Sequence, residues 1–109
     1  MAVEYFERGG LRWGRGIWRY EGNVTWPFAT LRLTTDHIEL RTCGFAVRGK
    51  FYFEASEVKA VHTCHGLINS GIQIEHAIAD WPPVVIFWTL HLRRLVAAAR
   101  DAGYVVCEE

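Results

Sequence analysis

Cysteine is scarce in this chain, with only Cys43, Cys64 and Cys107 in 109 residues. An odd count without paired spacing argues against a disulfide framework and predicts a reducing compartment. Long apolar runs are also missing. The longest strongly apolar stretch, Val84 to Trp88, falls far short of the roughly 20 residues that a membrane-spanning helix needs. The opening Met1-Ala2-Val3-Glu4 has neither a basic start nor an apolar continuation, so no secretion signal is read. Together these absences predict a cytoplasmic protein. Excess charge of one sign is missing too, because 12 Lys and Arg balance 12 Asp and Glu. Without a global basic field, no nucleic-acid partner is expected. No GxSxG, HExxH or Gly-rich phosphate loop occurs, and the expectation is a non-enzyme without a cofactor.

What is present describes a folded domain. Half of the residues are hydrophobic and 22% are charged, which excludes disorder as the default state. A chain this long forms one domain and buries about 65% of its extended surface, enough for one core. Five tryptophans are many for this length. Such rings fill cores or sit at interfaces, and a small barrel cannot easily hide all of them.

The first 23 residues differ from the rest. Gly9, Gly10, Gly14 and Gly16 alternate with Arg8, Arg12, Arg15 and Arg19, and with Trp13, Trp18 and Tyr20. Glycine at this density weakens strands and helices, so residues 1–23 read as an arm that pairs or packs only in context, ahead of a domain at 24–109. From there the pattern is β. Ala29, Leu31 and Leu33 share one face of a strand, and Thr35-Asp36 reads as a turn. Ile38 and Leu40 complete a hairpin. Phe51 and Phe53 mark a third strand, with a turn or single helical turn at Glu54 to Glu57. Val58 to His65 is a fourth strand, followed by a loop from Gly66 to Ser70. Gly71 to His76 and Val84 to Trp88 make the fifth and sixth.

A helix over 89–102 is the clearest element. Leu92, Leu95, Val96 and Ala99 form one apolar stripe, with His91, Arg94 and Asp101 off it. Thr89 is the expected N-cap, and Gly103 fits a left-handed C-cap. Tyr104-Val105-Val106 has the composition to return onto the sheet edge. The fold class is therefore mainly β with one C-terminal helix.

Phe53-x4-Val58, Gly71-Ile72-x-Ile74-x-His76, Pro83-x-Val85-Ile86-Phe87-Trp88 and the helix ending in Gly103-Tyr104-Val105 resemble small bacterial pleckstrin-homology-like (GRAM-like) domains. The resemblance spans about residues 24–107. It implies a partly open barrel of about seven strands capped by the helix. Six strands lie between residue 24 and Trp88, which leaves the seventh to the arm (Leu11 to Tyr20) or to the tail after Gly103. The resemblance also implies binding rather than catalysis, of lipid head groups in some members and of peptides or partner subunits in others. Phosphoinositide-binding members cluster Lys and Arg around the loop between the first two strands. Here that loop is Thr34-Thr35-Asp36-His37, short and carrying an acid, which counts against head-group recognition at that place.

The candidate sites follow. His62-x-Cys64-His65 has metal-ligand residue types, but on a strand only His62 and Cys64 share a face, and no CxxC or HxxxH completes a site. No metal is expected. Glu75-His76 are strand neighbours facing opposite ways, so a solvated pair is the simpler reading. Arg12, Trp13, Arg15, Trp18 and Arg19 combine cations with rings. They suit either an anionic surface or, for the rings, packing on the barrel or a dimer seam. Leu67 and Ile68, with Trp81, form either an exposed partner patch or a plug for one barrel end. The leading expectation is a non-enzymatic interaction module that binds a protein, with a second copy of the chain as the first candidate, by pairing of the arm. The alternative is peripheral binding to an anionic lipid surface through the arm.

Overall fold

A computed structural model describes residues 4–16, 19–43, 50–66 and 69–108, and of Arg19 and Tyr20 it describes the backbone alone. Trp18, Leu67 and Ile68 lie outside the described residues. The strands are β1 (Glu4–Gly16), β2 (Arg19–Thr34), β3 (His37–Thr42), β4 (Lys50–Glu54), β5 (Val58–His65), β6 (Ser70–His76), β7 (Val84–Thr89) and β8 (Val106–Cys107). A 3-10 turn (Ala55–Glu57) joins β4 to β5, and one helix, α1 (Leu92–Asp101), follows β7. All eight strands form one sheet in the order β4-β3-β2-β1-β7-β6-β5-β8. The sheet curls into an open half-barrel, the mainly β class with a C-terminal helix expected from the pattern.

The described residues between 4 and 23 belong to the sheet, so the arm does supply a strand, one of the two sources left open for the seventh. β1 lies at the middle of the sheet, antiparallel to β2 along its whole length and to β7 from Gly10 to Gly14. β2 runs without interruption through residue 23. Both ends of the chain supply strands, because β8 pairs parallel with β5 at Val61 and His62. Gly9 and Gly10 fit β1 because each lets the backbone of a neighbouring strand approach closely. A Cβ on Gly22 would sit 2.0 Å from the indole of Trp13, its partner across the ladder. Trp13 lies over that gap and is buried.

Period-2 patterning places the core. Ala29, Leu31, Leu33, Ile38, Leu40 and Phe53 are wholly buried, because alternate residues of a curled sheet face its concave side. Trp13, Phe51 and Trp81 form an edge-to-face ladder at 5.4 and 5.5 Å. The Trp81 indole N–H also donates to the Tyr52 carbonyl at 3.0 Å. His76 pins the loop between β6 and β7. Its Nδ1 accepts the Ile78 N–H at 3.0 Å, and Nε2 meets the Pro82 carbonyl at 2.9 Å.

α1 starts later than its sequence suggests. Its N-cap is His91, not Thr89, and its first residue is Leu92. Thr89 instead ends β7. Its hydroxyl accepts the His91 N–H at 2.8 Å and donates to the buried Glu7 carboxylate. Glu7 also accepts from the Tyr5 hydroxyl at 2.5 Å. Leu95, Val96 and Ala99 are buried and His91, Arg94 and Asp101 are exposed, as the stripe requires. The helix closes on Gly103 at φ +97°. The Gly103 N–H bonds to the Arg100 carbonyl and the Tyr104 N–H to that of Ala99, both at 3.0 Å, which is the Schellman pattern. Tyr104 is thereby turned inward, and its hydroxyl donates to the Thr34 carbonyl at 2.8 Å.

Burial pushes the Tyr104 phenol up to about 12, with Asp36 adding to the effect. Burial and the Glu7 carboxylate push Tyr5 upward as well. A raised folded-state value means that the unfolded chain loses these protons first. Their contribution is intact below pH ~10 and is lost as pH rises from there through about 12. Urea midpoints measured from pH 8 upward should stay level and then fall above pH ~10. The fall should be shallower in Tyr104→Phe.

Candidate functional site

The register of β1 against β2 contains the feature on which the site rests. Gly9 faces Ala29 and Leu11 faces Val24. Gly10 alone therefore stands against Thr25, Trp26, Pro27 and Phe28. The surplus chain cannot lie flat in the ladder and bulges out of it. The Trp26-Pro27 peptide within it is cis, and proline has no N–H to give a ladder. The bulge rejoins the sheet where the Phe28 carbonyl accepts the Cys43 N–H at 2.8 Å. Trp26 is left 56% exposed and Phe28 51% exposed.

Beside the bulge runs a cleft of about 390 Å³. One wall is Asn23, Val24, Thr25 and Trp26 of β2, and the other is Trp88, Thr89 and Leu90 at the end of β7. Gly10, Arg12 and Asn69 complete it. Leu11 and Trp13 point into the core, so Gly10 and Arg12 between them belong to the opposite, outer face. Gly10 stands opposite Trp88 and Arg12 opposite Ile86. Leu90, 69% exposed, extends the apolar rim. Thr89 is buried and held through Glu7, so the strand end that carries Trp88 and Leu90 is anchored to β1. Arg12 is half-buried and, among the described residues, is the one charged side chain on the lining, which carries no carboxylate.

Neither a known protein family nor a curated protein gives a significant match to this chain.

The residues singled out in the sequence are dispersed. Arg12 lines the cleft, whereas Trp13 is buried in the core. Arg15 is exposed at the end of β1 and pairs with Glu21 at 2.9 Å. Arg15 and Trp81 border a smaller hollow of about 140 Å³ between Glu21 and the loop Ala79 to Pro83. Trp81 is half-buried, held by Tyr52 and Phe51. Trp18, Leu67 and Ile68 fall outside the described residues, as does the Arg19 side chain. Asn69, which follows Leu67 and Ile68, borders the cleft. Trp26, Phe28, Trp88 and Leu90 are not among the site residues that the sequence singles out. The one available signal was a proline inside an apolar strand pattern, which marks a bulge or an edge.

His62 is bonded across the sheet to Glu75 at 2.6 Å, and His65 meets the Ser70 hydroxyl at 3.3 Å. Among the described residues, no three His, Cys, Asp or Glu side chains gather to hold a metal. No helix among them is long and apolar enough to cross a membrane. A second groove of about 340 Å³ runs between β5 and α1. The chain's own tail borders it, with Glu108 bonded to Arg100 at 2.7 Å.

Proposed function

We propose that this chain is a non-enzymatic, cytoplasmic, pleckstrin-homology-like module that binds a protein through the Trp26–Phe28 bulge and the adjoining cleft. The observation that carries the reading is the pair of half-exposed aromatic rings on that bulge, next to exposed Leu90. These three side chains leave on the order of 350 Å² of apolar surface in water, the size of patch that on monomers is often functional. Aromatic anchors around a pocket are the anatomy of an interface hot spot. The central place of β1 moves the proposed contact away from pairing of the arm, because Leu11 and Trp13 are core. Three free cysteines support a reducing compartment. With a net charge of zero, two copies do not repel each other, so a second copy remains one form of the partner. Adhesion to anionic lipid draws less support, because Arg12 lies in the cleft and Arg15 is paired with Glu21.

The test is a Trp26→Ser/Phe28→Ser double variant. Both side chains are exposed, so its urea midpoint should correspond to within about 0.5 kcal/mol of the natural protein. Binding to any partner captured by the natural protein, or to itself by light scattering, should weaken by about 30-fold or more. A partner held equally by both proteins sinks the proposal. Salt-sensitive co-sedimentation with anionic vesicles would favour the lipid reading instead.

A further inference from the structure

We infer that the cleft takes an acidic, extended segment of the partner protein, seating one aromatic or aliphatic side chain against Trp26 and Trp88 and a neighbouring carboxylate against Arg12. The inference rests on the reading of this surface as a protein-binding site and adds the chemistry of the occupant. Charge comes first. Among the described residues the lining holds one cation and no acid, and a half-buried guanidinium attracts a carboxylate more strongly than one in open water does.

Size comes second. About 390 Å³ lies at the small end of ligand-sized cavities, roughly 300–1,000 Å³. That is room for a side chain and a short stretch of backbone, and too little for a packed helix about 10 Å across. Asn23, Thr25 and Asn69 line the cleft with amide and hydroxyl groups that match peptide N–H and C=O.

The rim comes third and selects a protein segment over a free anion. Phe28 does not line the cleft, yet it stands two residues from Trp26 and is 51% exposed. Leu90 is 69% exposed on the other side. A small carboxylate in the cleft would leave much of both in water, whereas a chain continuing past it covers them. Water exclusion around an anchored side chain is what makes such a pocket bind.

The experiment follows the indole N–H signals of Trp26 and Trp88 by NMR of the full chain during peptide titrations. The probes are three synthetic peptides, acetyl-Gly-Asp-Phe-Asp-Gly-amide, the same sequence with lysine for both aspartates, and the same with alanine for phenylalanine. N-acetylphenylalanine is the fourth probe. The acidic phenylalanine peptide should move both indole signals saturably at millimolar concentration. It should bind about tenfold more tightly than the other two peptides, a difference of about 1.4 kcal/mol, and weaken severalfold at high salt. Arg12→Met should abolish the preference and Arg12→Lys should keep part of it. If Arg12→Met does not fold, the peptide comparison on the natural protein still decides. Equal binding of the lysine peptide, or no shift of either signal with any probe, overturns the inference. Equal binding of N-acetylphenylalanine overturns the protein segment in favour of a free small anion. A stable dimer that covers Trp26 overturns it in favour of a second copy. If the Trp26→Ser/Phe28→Ser variant loses its partner while the peptides stay silent, the binding surface stands and only this chemistry fails.

Discussion

A chain that starts at Asn23 is expected to lose cooperative folding. The truncation removes β1, the strand that joins the two halves of the sheet. On one side β2, β3 and β4 remain paired, and on the other β7, β6, β5 and β8 do. Among the described strands nothing else in the ladder order bridges β2 and β7. Leu11 and Trp13 leave the core, and each fully buried apolar side chain of this size contributes about 1.5–3 kcal/mol. The carboxylate of Glu7 leaves with them, and with it the anchor of Thr89 beneath the start of α1. The backbone partners of β2 and β7 are lost along their shared strand, so two inner edges open to water or to aggregation. A domain of this size has only about 5–15 kcal/mol in hand. Far-UV circular dichroism with a urea titration reads the outcome, which should be no sigmoidal transition. A truncated chain with the midpoint of the full chain would falsify the central role of β1.

The same strand shows where sequence reading reaches and where it stops. Ala29, Leu31, Leu33, Ile38, Leu40, Phe51 and Phe53 were legible because one face of a curled sheet must be apolar, and all are buried. Gly103 was legible because a positive φ after a helix selects glycine, and it has one. The sequence leaves the β1 segment as one of two sources for the seventh strand, because glycine costs are local, whereas their compensation is not. Its neighbours, Phe87 and Trp88, come from the far end of the chain. Thr89 looked like a cap because its true partner, Glu7, is 82 residues away. The site follows the same division. Pro27 signals an interrupted ladder, but the four-against-one register appears only when Gly9 and Leu11 find their partners. Once residues 4–16 are read as a strand, alternation alone separates Arg12 on the outer face from Trp13 in the core.

Gly9→Ala should be among the most destabilising single substitutions in the chain, at about 3 kcal/mol. A Cβ at Gly9 would lie 2.1 Å from the Trp88 carbonyl oxygen and 2.6 Å from the Phe87 ring. The carbonyl oxygen is backbone and cannot rotate aside, and Phe87 is wholly buried, so its ring has nowhere to retreat. Relief requires β1 and β7 to part where both meet the end that carries Trp88 and Leu90. The cleft should therefore loosen along with the fold, and the indole signals of Trp26 and Trp88 should broaden or shift before global unfolding. Gly16→Ala is the matched control, since it lies at the end of the same strand with no atom of a described residue within 4 Å of an added Cβ. Without a clash, the smaller entropy of the unfolded chain should make it neutral or more stable by about 0.5 kcal/mol. Paired urea titrations of the two variants measure the contrast directly. Equal midpoints would mean that β1 and β7 do not approach this closely and that the cleft is built differently.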